Sequence, residues 1–493
     1  MSKVGNVFWI SLAISVIFVI WGAVAPDNLG VVSNGIQSFL TSRFGWLYIL
    51  SVAAFLIFSI YLMFSKYGKL RLGDPNDRPE YNRVTWFAML FGSGMGIGLI
   101  FWGAAEPLSH FASPPNADPE SIQAAENALR YTAFHWGLQT WAVYTVIALA
   151  IAYFKFRRKA PGAISSTFQP LLGNKTQGWM GTVIDVIAVF ATIFGVATSL
   201  GLGASQISGG LSFVSNMQNN LSLQMIIIVI VTVLFMISAW TGINKGIKYL
   251  SNINITLASL LLILTIILGP TVFIFDNFFS TLLSYIQTLP SLSFETGGLD
   301  EQHASWIESW TIFYWAWFIA WSPFVGTFIA RVSKGRTIRE FVTGVLFAPS
   351  IFCILWFAVF GSTSLHQELN GINTGLTDLA KEETLFAVYQ SFDLSMVLIV
   401  IALLLISTFF VTSADSATFV LGMQTTNGDL NPSNSVKMTW GVIQAAFAAV
   451  LLASGGLNAL QTASIASAFP FMFILLLMMV SLIKAFRQDY PSK

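Results

Sequence analysis

Apolar runs of twenty or more residues, parted by short polar connections, recur along the whole chain. They begin near Val7, Gly45, Val84, Tyr131, Trp179, Leu223, Asn252, Trp306, Phe341, Leu394, Met438 and Ala463, and so predict twelve helical spans by the length that a bilayer requires. The runs from Trp179 and Leu394 pass thirty residues, which calls for tilt, a kink or extension beyond the hydrocarbon. The polar connections at Ser109 to Leu129 and Ser284 to His303 read as outer loops, the second with room for a short amphipathic helix.

Composition narrows the class. Apolar residues make up 55% of the chain, charged residues 10%, and the net charge is +1, which excludes both a basic nucleic-acid-binding surface and an ordinary soluble enzyme. With the N-terminus cytoplasmic, 21 of the 24 Lys and Arg residues fall inside and only Arg43, Arg130 and Lys381 outside. Both termini are therefore expected on the cytoplasmic side of the membrane. The first run lacks a small-residue cleavage site and reads as a retained helix. Cys353, the single cysteine, can form no intrachain disulfide.

One span carries an anomaly of placement. Trp315, Trp317, Phe318 and Trp321 lie in the middle of an apolar run that ends on Ser322-Pro323, whereas tryptophan in spanning helices collects at the two interfaces. A cation held by ring faces would supply a local reason. A second unusual stretch is Gly92-Ser93-Gly94-Met95-Gly96-Ile97-Gly98, with four glycines at alternate positions. Two readings stand: an unwound segment whose freed carbonyls face protein or a wet cavity, or a small-residue groove for close helix packing. A dinucleotide loop lacks the required preceding strand.

Setting aside two leading helices leaves ten spans that divide five and five. The glycine-interrupted span opens the first half and the Trp-rich, Pro323-containing span the second, which is the sequence pointer to a transporter's central site. The corresponding divisions are residues 1–83 for two peripheral helices and a cytoplasmic loop, 84–275 and 304–486 for the repeats, 276–303 for the outer connection and 487–493 for a short tail.

On these residues the chain resembles the betaine/choline/carnitine transporter family. The resemblance is carried by Gly94 to Gly98 with Glu106-Pro107, by Phe134-His135-Trp136, by Phe313 to Arg331 (FYWAWFIAWSPFVGTFIAR) and by Phe409 to Ser416 (FFVTSADS). It implies an all-α polytopic membrane protein of 12 transmembrane helices. Two leading helices would precede a LeuT-like core of two inverted five-helix repeats, assembled as a homotrimer in lipid. It also implies sodium-coupled symport of glycine betaine or a related trimethylammonium solute by alternating access, with Na+ as coupling ion, no other cofactor and no catalytic residue. Choline, carnitine or an ectoine-like solute, moved with protons or by exchange, is the alternative.

Carried over position by position, the resemblance puts Trp136, Trp141 and Tyr144 of the fourth span opposite Trp317, Phe318 and Trp321 of the eighth, with Met95 and Ser199 also on the substrate. Helical geometry agrees, because at about 100° per residue the eighth-span trio shares an arc of roughly 100° and the fourth-span trio one of roughly 140°. A quaternary ammonium donates no hydrogen bond, and each ring face contributes up to about 2 kcal/mol when desolvated. The rival reading is plain helix packing by aromatics. Two positions differ from the family's patterns: Phe318 stands where betaine carriers commonly have tryptophan, and Gly98 where choline carriers have an aspartate.

For sodium, the resemblance implies carbonyls of Gly92 and Met95 with Phe409, Thr412 and Ser413, oxygen chemistry suited to a hard cation. Bonding of Thr412 and Ser413 to their own helix is the competing reading. A second site would use Thr192 and Phe324, but Val196 stands where a second threonine is usual, leaving Thr198 or Ser199 as substitutes. Each cation moved inward across roughly 150 mV contributes about 3.5 kcal/mol. No Lys or Arg lies inside a predicted span, against a sodium-independent exchanger.

Asp185, Asp415 and Glu106 are intramembrane carboxylates open to functional roles or to capping. His135 reads as a packed, hydrogen-bonded imidazole, and the four histidines, His110, His135, His303 and His366, form no visible catalytic cluster. The run Arg331 to Arg336 suits a helix end at a cytoplasmic face. Family members that sense osmotic stress resemble one another in a long basic tail; here only Lys484, Arg487 and Lys493 follow the last span.

Overall fold

A computed structural model describes residues 4–94, 96–215, 217–241 and 244–490. Among them the chain is helical apart from one isolated antiparallel bridge, Arg71 with Thr337. The helices are α1 (Asn6–Val24), α2 (Pro26–Phe64), α3 (Arg83–Gly94), α4 (Ile97–Ala112), α5 (Ile122–Trp136), α6 (Leu138–Ala152), α7 (Gln169–Leu172), α8 (Trp179–Val214) and α9 (Leu221–Thr241). They continue as α10 (Asn244–Leu268), α11 (Thr271–Leu292), α12 (Glu301–Ile307), α13 (Phe313–Val332), α14 (Ile338–Leu369), α15 (Thr384–Gln390), α16 (Ser395–Thr425) and α17 (Asn434–Asp489).

Among the described residues ten helical stretches are long and apolar enough to cross a bilayer, so the protein is an all-helical, multi-pass membrane protein. Two features separate ten from the expected twelve. The glycine run splits one expected span into α3 and α4, of 12 and 16 residues. At the other end, α17 extends over 56 residues through non-helical dihedrals at Gly455 and Gly456. Gly456, at φ 59° and ψ −136°, occupies a region that L-residues avoid, so glycine is what permits the bend.

Element ends differ from the apolar runs where polar residues continue a helix. Helix α2 starts at Pro26 and α5 at Ile122, so Arg43 and Arg130 stand on helices rather than in loops. Ser121 accepts the Ala124 N–H at 3.1 Å and caps α5. Helix α11, which begins just after Gly269-Pro270, runs through much of the 276–303 segment expected to be a connection.

Burial sorts the helices. In an apolar eighteen-residue window of Glu301–Val332 89% of the residues are buried, whereas in that of Leu221–Thr241 22% are, and Val229, Ile230, Val233 and Leu234 are exposed to what is lipid in a membrane. Helix α13 runs through the middle, packed on α6, α8 and α17. Gly195 of α8 brings the two backbones together, since a Cβ there would lie 2.8 Å from the Trp321 nitrogen.

Candidate functional site

Helix α13 carries a column of rings. From the turn just before α13 into the helix, spacings of four and three put Trp310, Tyr314, Trp317, Trp321 and Phe324 along one face, with Phe318 beside Trp317. Centroids are 6.3 Å apart for Trp310–Tyr314, 5.7 Å for Tyr314–Phe318, 5.5 Å for Phe318–Trp317, 5.8 Å for Trp317–Trp321 and 6.1 Å for Trp321–Phe324, all near parallel. Trp315 is on another side, edge-on to Phe134 at 5.2 Å. It packs α5 and is not part of the column.

The fourth-span trio meets this column because its helix breaks at Gly137. A Cβ on Gly137 would fall 2.7 Å from the Tyr285 hydroxyl, which instead accepts the Leu138 N–H at 2.9 Å. Trp136 then stands edge-on to Phe318 at 5.3 Å and to Trp317 at 6.1 Å, and Tyr144 edge-on to Phe318 at 6.2 Å. Trp141 joins through Tyr144 at 5.4 Å. All six expected aromatics are buried in one cluster. The Tyr144 hydroxyl and the Trp317 indole nitrogen are buried there without a hydrogen-bond partner.

Gly98 closes the cluster from α4. A Cβ at this position would lie 2.4 Å from Trp317 Cη2 and 3.2 Å from Trp136 Cη2. Any side chain must displace a ring, so the position marked in the sequence as glycine rather than aspartate touches both halves of the box.

Glu106 organises the layer beside it. Its Oε2 accepts from the Trp136 indole at 2.7 Å and from the Tyr314 hydroxyl at 2.6 Å. Its Oε1 lies 2.7 Å from His135 Nδ1 and 3.2 Å from His110 Nε2, and His135 Nε2 reaches Thr311 Oγ1 at 3.0 Å. Two histidines that looked scattered in the sequence thus converge on one carboxylate, with donor atoms within 4.8 Å of one another. This set could hold a metal ion by distance, but both Glu106 oxygens and both His135 nitrogens already have hydrogen-bond partners. Above it, the Lys381 ammonium sits 4.6 Å over the Trp310 ring and 5.8 Å over Trp102. Burial pulls the Lys381 pKa below the ordinary lysine value, against the opposing charges of Glu106 and Glu382.

The residues expected to hold an ion are placed as follows. Met95 lies outside the described residues. A Cβ on Gly92 would touch nothing within 4 Å, and one on Gly96 would lie 3.6 Å from Ser413 Oγ and 3.7 Å from Trp321, so the break adjoins both Ser413 and the box. Phe409 is buried, and the Thr412 hydroxyl donates to its own helix, 2.9 Å to Thr408 and 3.2 Å to Phe409, as the competing reading had it. Asn254, which the sequence gave no reason to single out, donates to Thr412 Oγ1 at 3.0 Å, and its own Oδ1 is buried unpartnered. In the second set, Thr192 lies 2.8 Å from the Ala188 carbonyl and 3.0 Å from the Gln424 amide, while Phe324 stacks on Trp321. Thr198 turns to Leu460 and Ser464 of α17, and Ser199 to the Gly195 carbonyl at 3.3 Å, so neither hydroxyl is turned to Phe324.

Asp185 and Asp415 find partners as well. Asp185 accepts from Ser165 N and Oγ at 2.8 and 2.7 Å, and Asp415 from Ser238 Oγ at 2.6 Å.

A multi-pass helical protein with a buried aromatic cluster beside a broken helix has the build of a membrane carrier. The family model for "BCCT, betaine/carnitine/choline family transporter" matches residues 6–491. The glycine betaine transporter OpuD of Bacillus subtilis (strain 168) is 53% identical over 490 residues, covering 99% of this chain and 96% of that protein. A probable glycine betaine transporter of Desulfitobacterium hafniense (strain Y51) is 44% identical over 99% of both. The ectoine/hydroxyectoine transporter of Virgibacillus pantothenticus is 44% identical over 96% of this chain and 95% of that protein. The chain belongs to the betaine/carnitine/choline transporter family. It is a transporter and not an enzyme.

Proposed function

We propose that this protein takes up glycine betaine, or a closely related trimethylammonium solute, by symport with sodium through alternating access. One observation carries the substrate class: six buried aromatic side chains from α5, α6 and α13 meet in one cluster that also contains two unpartnered donors, the Tyr144 hydroxyl and the Trp317 indole. Ring faces suit a cation that cannot hydrogen-bond, and the spare donors suit a carboxylate on the same molecule. Glycine betaine has both groups. The names of the relatives from B. subtilis and D. hafniense agree.

The sodium reading is supported by the helix break at Gly96 facing Ser413 and Trp321, which sets backbone oxygens, a hydroxyl and the box side by side. Counting α3 with α4 as one crossing and α17 as two gives twelve spans, of which we read the last ten as two inverted repeats of five. We further propose a homotrimer in the bacterial cytoplasmic membrane with both termini inside.

Uptake of labelled glycine betaine into proteoliposomes, driven by an inward sodium gradient, tests the reading. Accumulation that is indifferent to sodium would refute coupling. The second reading is ectoine, favoured by the V. pantothenticus relative and by Phe318 in place of tryptophan. Competition between unlabelled ectoine and labelled betaine separates the two.

A further inference from the structure

At the end of α13 away from the basic Arg331 to Arg336 run, a charge caps the column of rings. The Lys381 ammonium lies 4.6 Å over Trp310 and 5.8 Å over Trp102, and those two rings meet edge-on at 5.5 Å. The backbone on either side fixes its place. Gly375 and Leu376 donate to Glu368 at 2.8 and 2.9 Å, and Glu382 and Glu383 accept from Asn219 of the α8–α9 connection at 3.2 and 2.8 Å. A Cβ on Gly209 of α8 would lie 2.9 Å from the Glu382 carbonyl oxygen. Among the described residues the Lys381 ammonium forms no ion pair.

The buried carboxylate whose charge acts on Lys381 is Glu106. The two belong to one layer: the His110 ring, 4.5 Å from Trp310, reaches Glu106 at 3.2 Å, and Tyr314, one ring along from Trp310, donates to Glu106 at 2.6 Å. With Trp136 and His135 as its other partners, Glu106 has its four lone-pair sites taken and is shut off from water. Neither histidine is needed as a cation. A charged His110 would bury an Nδ1–H with no acceptor, and His135 is satisfied as a neutral ring that accepts the Thr311 hydroxyl at 3.0 Å.

Glu106 therefore brings a negative charge to the Trp136 side of the box, in a dry layer where charges are little screened. Alone it would favour any solute of net positive charge. Lys381 supplies the opposing charge from the other side of Trp310, while Glu382, partly exposed and turned to Asn219, is screened by water.

We propose that Lys381 is a specificity-determining residue: by offsetting Glu106 it sets the box to take zwitterions and to reject net cations such as choline, which has the trimethylammonium group without a carboxylate. The proposal rests on the reading of the ring cluster as the solute site. It concerns net charge, so it applies to betaine and ectoine alike, both being zwitterions.

Uptake of labelled betaine into proteoliposomes, inhibited by unlabelled betaine or by choline, gives the ratio of the two inhibition constants. Lys381→Met keeps an apolar stem on the rings and removes the charge, so it should lower the choline-to-betaine ratio by about tenfold, and Lys381→Glu should lower it further. Lys381→Arg should hold the ratio within about twofold of wild type, since the charge and the ring contact both persist. If Lys381→Met does not elute as a folded species, Lys381→Gln decides in its place. A ratio that the neutral and acidic variants leave unmoved, or that Lys381→Arg moves as far as they do, overturns the proposal. Should wild type carry ectoine and not betaine, labelled ectoine serves the same comparison. A wild type that takes up neither refutes the solute site, and the role of Lys381 with it, whereas uptake with an unmoved ratio refutes the role of Lys381 alone.

Discussion

The Glu106 carboxylate holds the Trp136 indole at 2.7 Å, with both side chains shut off from water. Trp136 is in turn edge-on to Phe318 and Trp317, so a residue outside the box fixes the angle of a ring inside it. Hydrogen bonds to a buried charge contribute about 1.5–3 kcal/mol. Glu106→Gln should therefore weaken betaine binding by roughly 10- to 100-fold, read by tryptophan fluorescence titration. Elution as a single folded species together with wild-type affinity would sink the claim.

Gly98 gives a steric prediction. Its absent Cβ would be 2.4 Å from Trp317, and overpacking of this kind costs about 1–3 kcal/mol. Gly98→Ala should raise the betaine KM by about tenfold or more. Gly92→Ala, where a Cβ meets nothing within 4 Å, should change the KM far less. Equal effects from the two substitutions would mean that helix propensity and not ring contact sets the requirement.

Phe318 touches four aromatic neighbours, Tyr314, Trp317, Trp136 and Tyr144, and is buried. Phe318→Trp brings a stronger cation–π face, up to about 2 kcal/mol, against an overpacking cost of about 1–3 kcal/mol. The cost falls on every solute, whereas the gain is largest for a quaternary ammonium. Betaine should lose less affinity than ectoine, so the ratio of their inhibition constants should move toward betaine. A ratio that stays fixed while both weaken would place Phe318 outside the cation's reach.

Arg336 ties the ends of two spans together. Its guanidinium is 3.8 Å over Trp86, it donates to the Tyr81 carbonyl at 2.8 Å, and it pairs with Glu340. Backbone bonds between Leu72 and residues Gly335 and Arg336 run alongside. A lysine keeps the charge but loses the planar stack and the fork. Arg336→Lys should destabilise the protein by about 1–3 kcal/mol, seen as a lower thermal midpoint in detergent with betaine affinity unchanged. An unchanged midpoint would show that the stack adds nothing.

How far the site was legible depends on what kind of signal each part leaves. The six aromatics could be read because Trp317, Phe318 and Trp321 are out of place in a span and share a helical arc. Trp315, equally out of place, turns to Phe134 instead, since position in a span does not say which neighbour a face meets. His110 and His135 looked unrelated at twenty-five residues apart, and only the return of α5 against α4 brings them to Glu106. Ten apolar helices stand where twelve runs were read because apolar length cannot register a helix cut by glycines or one continued through Gly456. Asn254 left no signal, being one of several polar residues along α10, with nothing in the pattern to set it apart from Thr265, which is also buried.

Asn254 nonetheless bears on the ion. Its amide NH2 donates to Thr412 Oγ1 at 3.0 Å, while Thr412 donates to its own helix, so one lone pair of that hydroxyl stays available to a cation. The Asn254 Oδ1, buried without a partner, is a second oxygen that a small rotation would offer. Leaving such an atom unsatisfied costs about 1–3 kcal/mol, which an arriving sodium would recover. Asn254→Leu should therefore raise the external sodium concentration for half-maximal uptake by about tenfold or more. The betaine KM at saturating sodium should stay within about twofold, because the residue does not reach the rings. Ser413→Ala should shift the sodium dependence in the same direction, since its hydroxyl faces the helix break. If Asn254→Leu leaves the sodium dependence in place while Ser413→Ala moves it, the amide only orients Thr412. If neither moves it, the ion lies elsewhere.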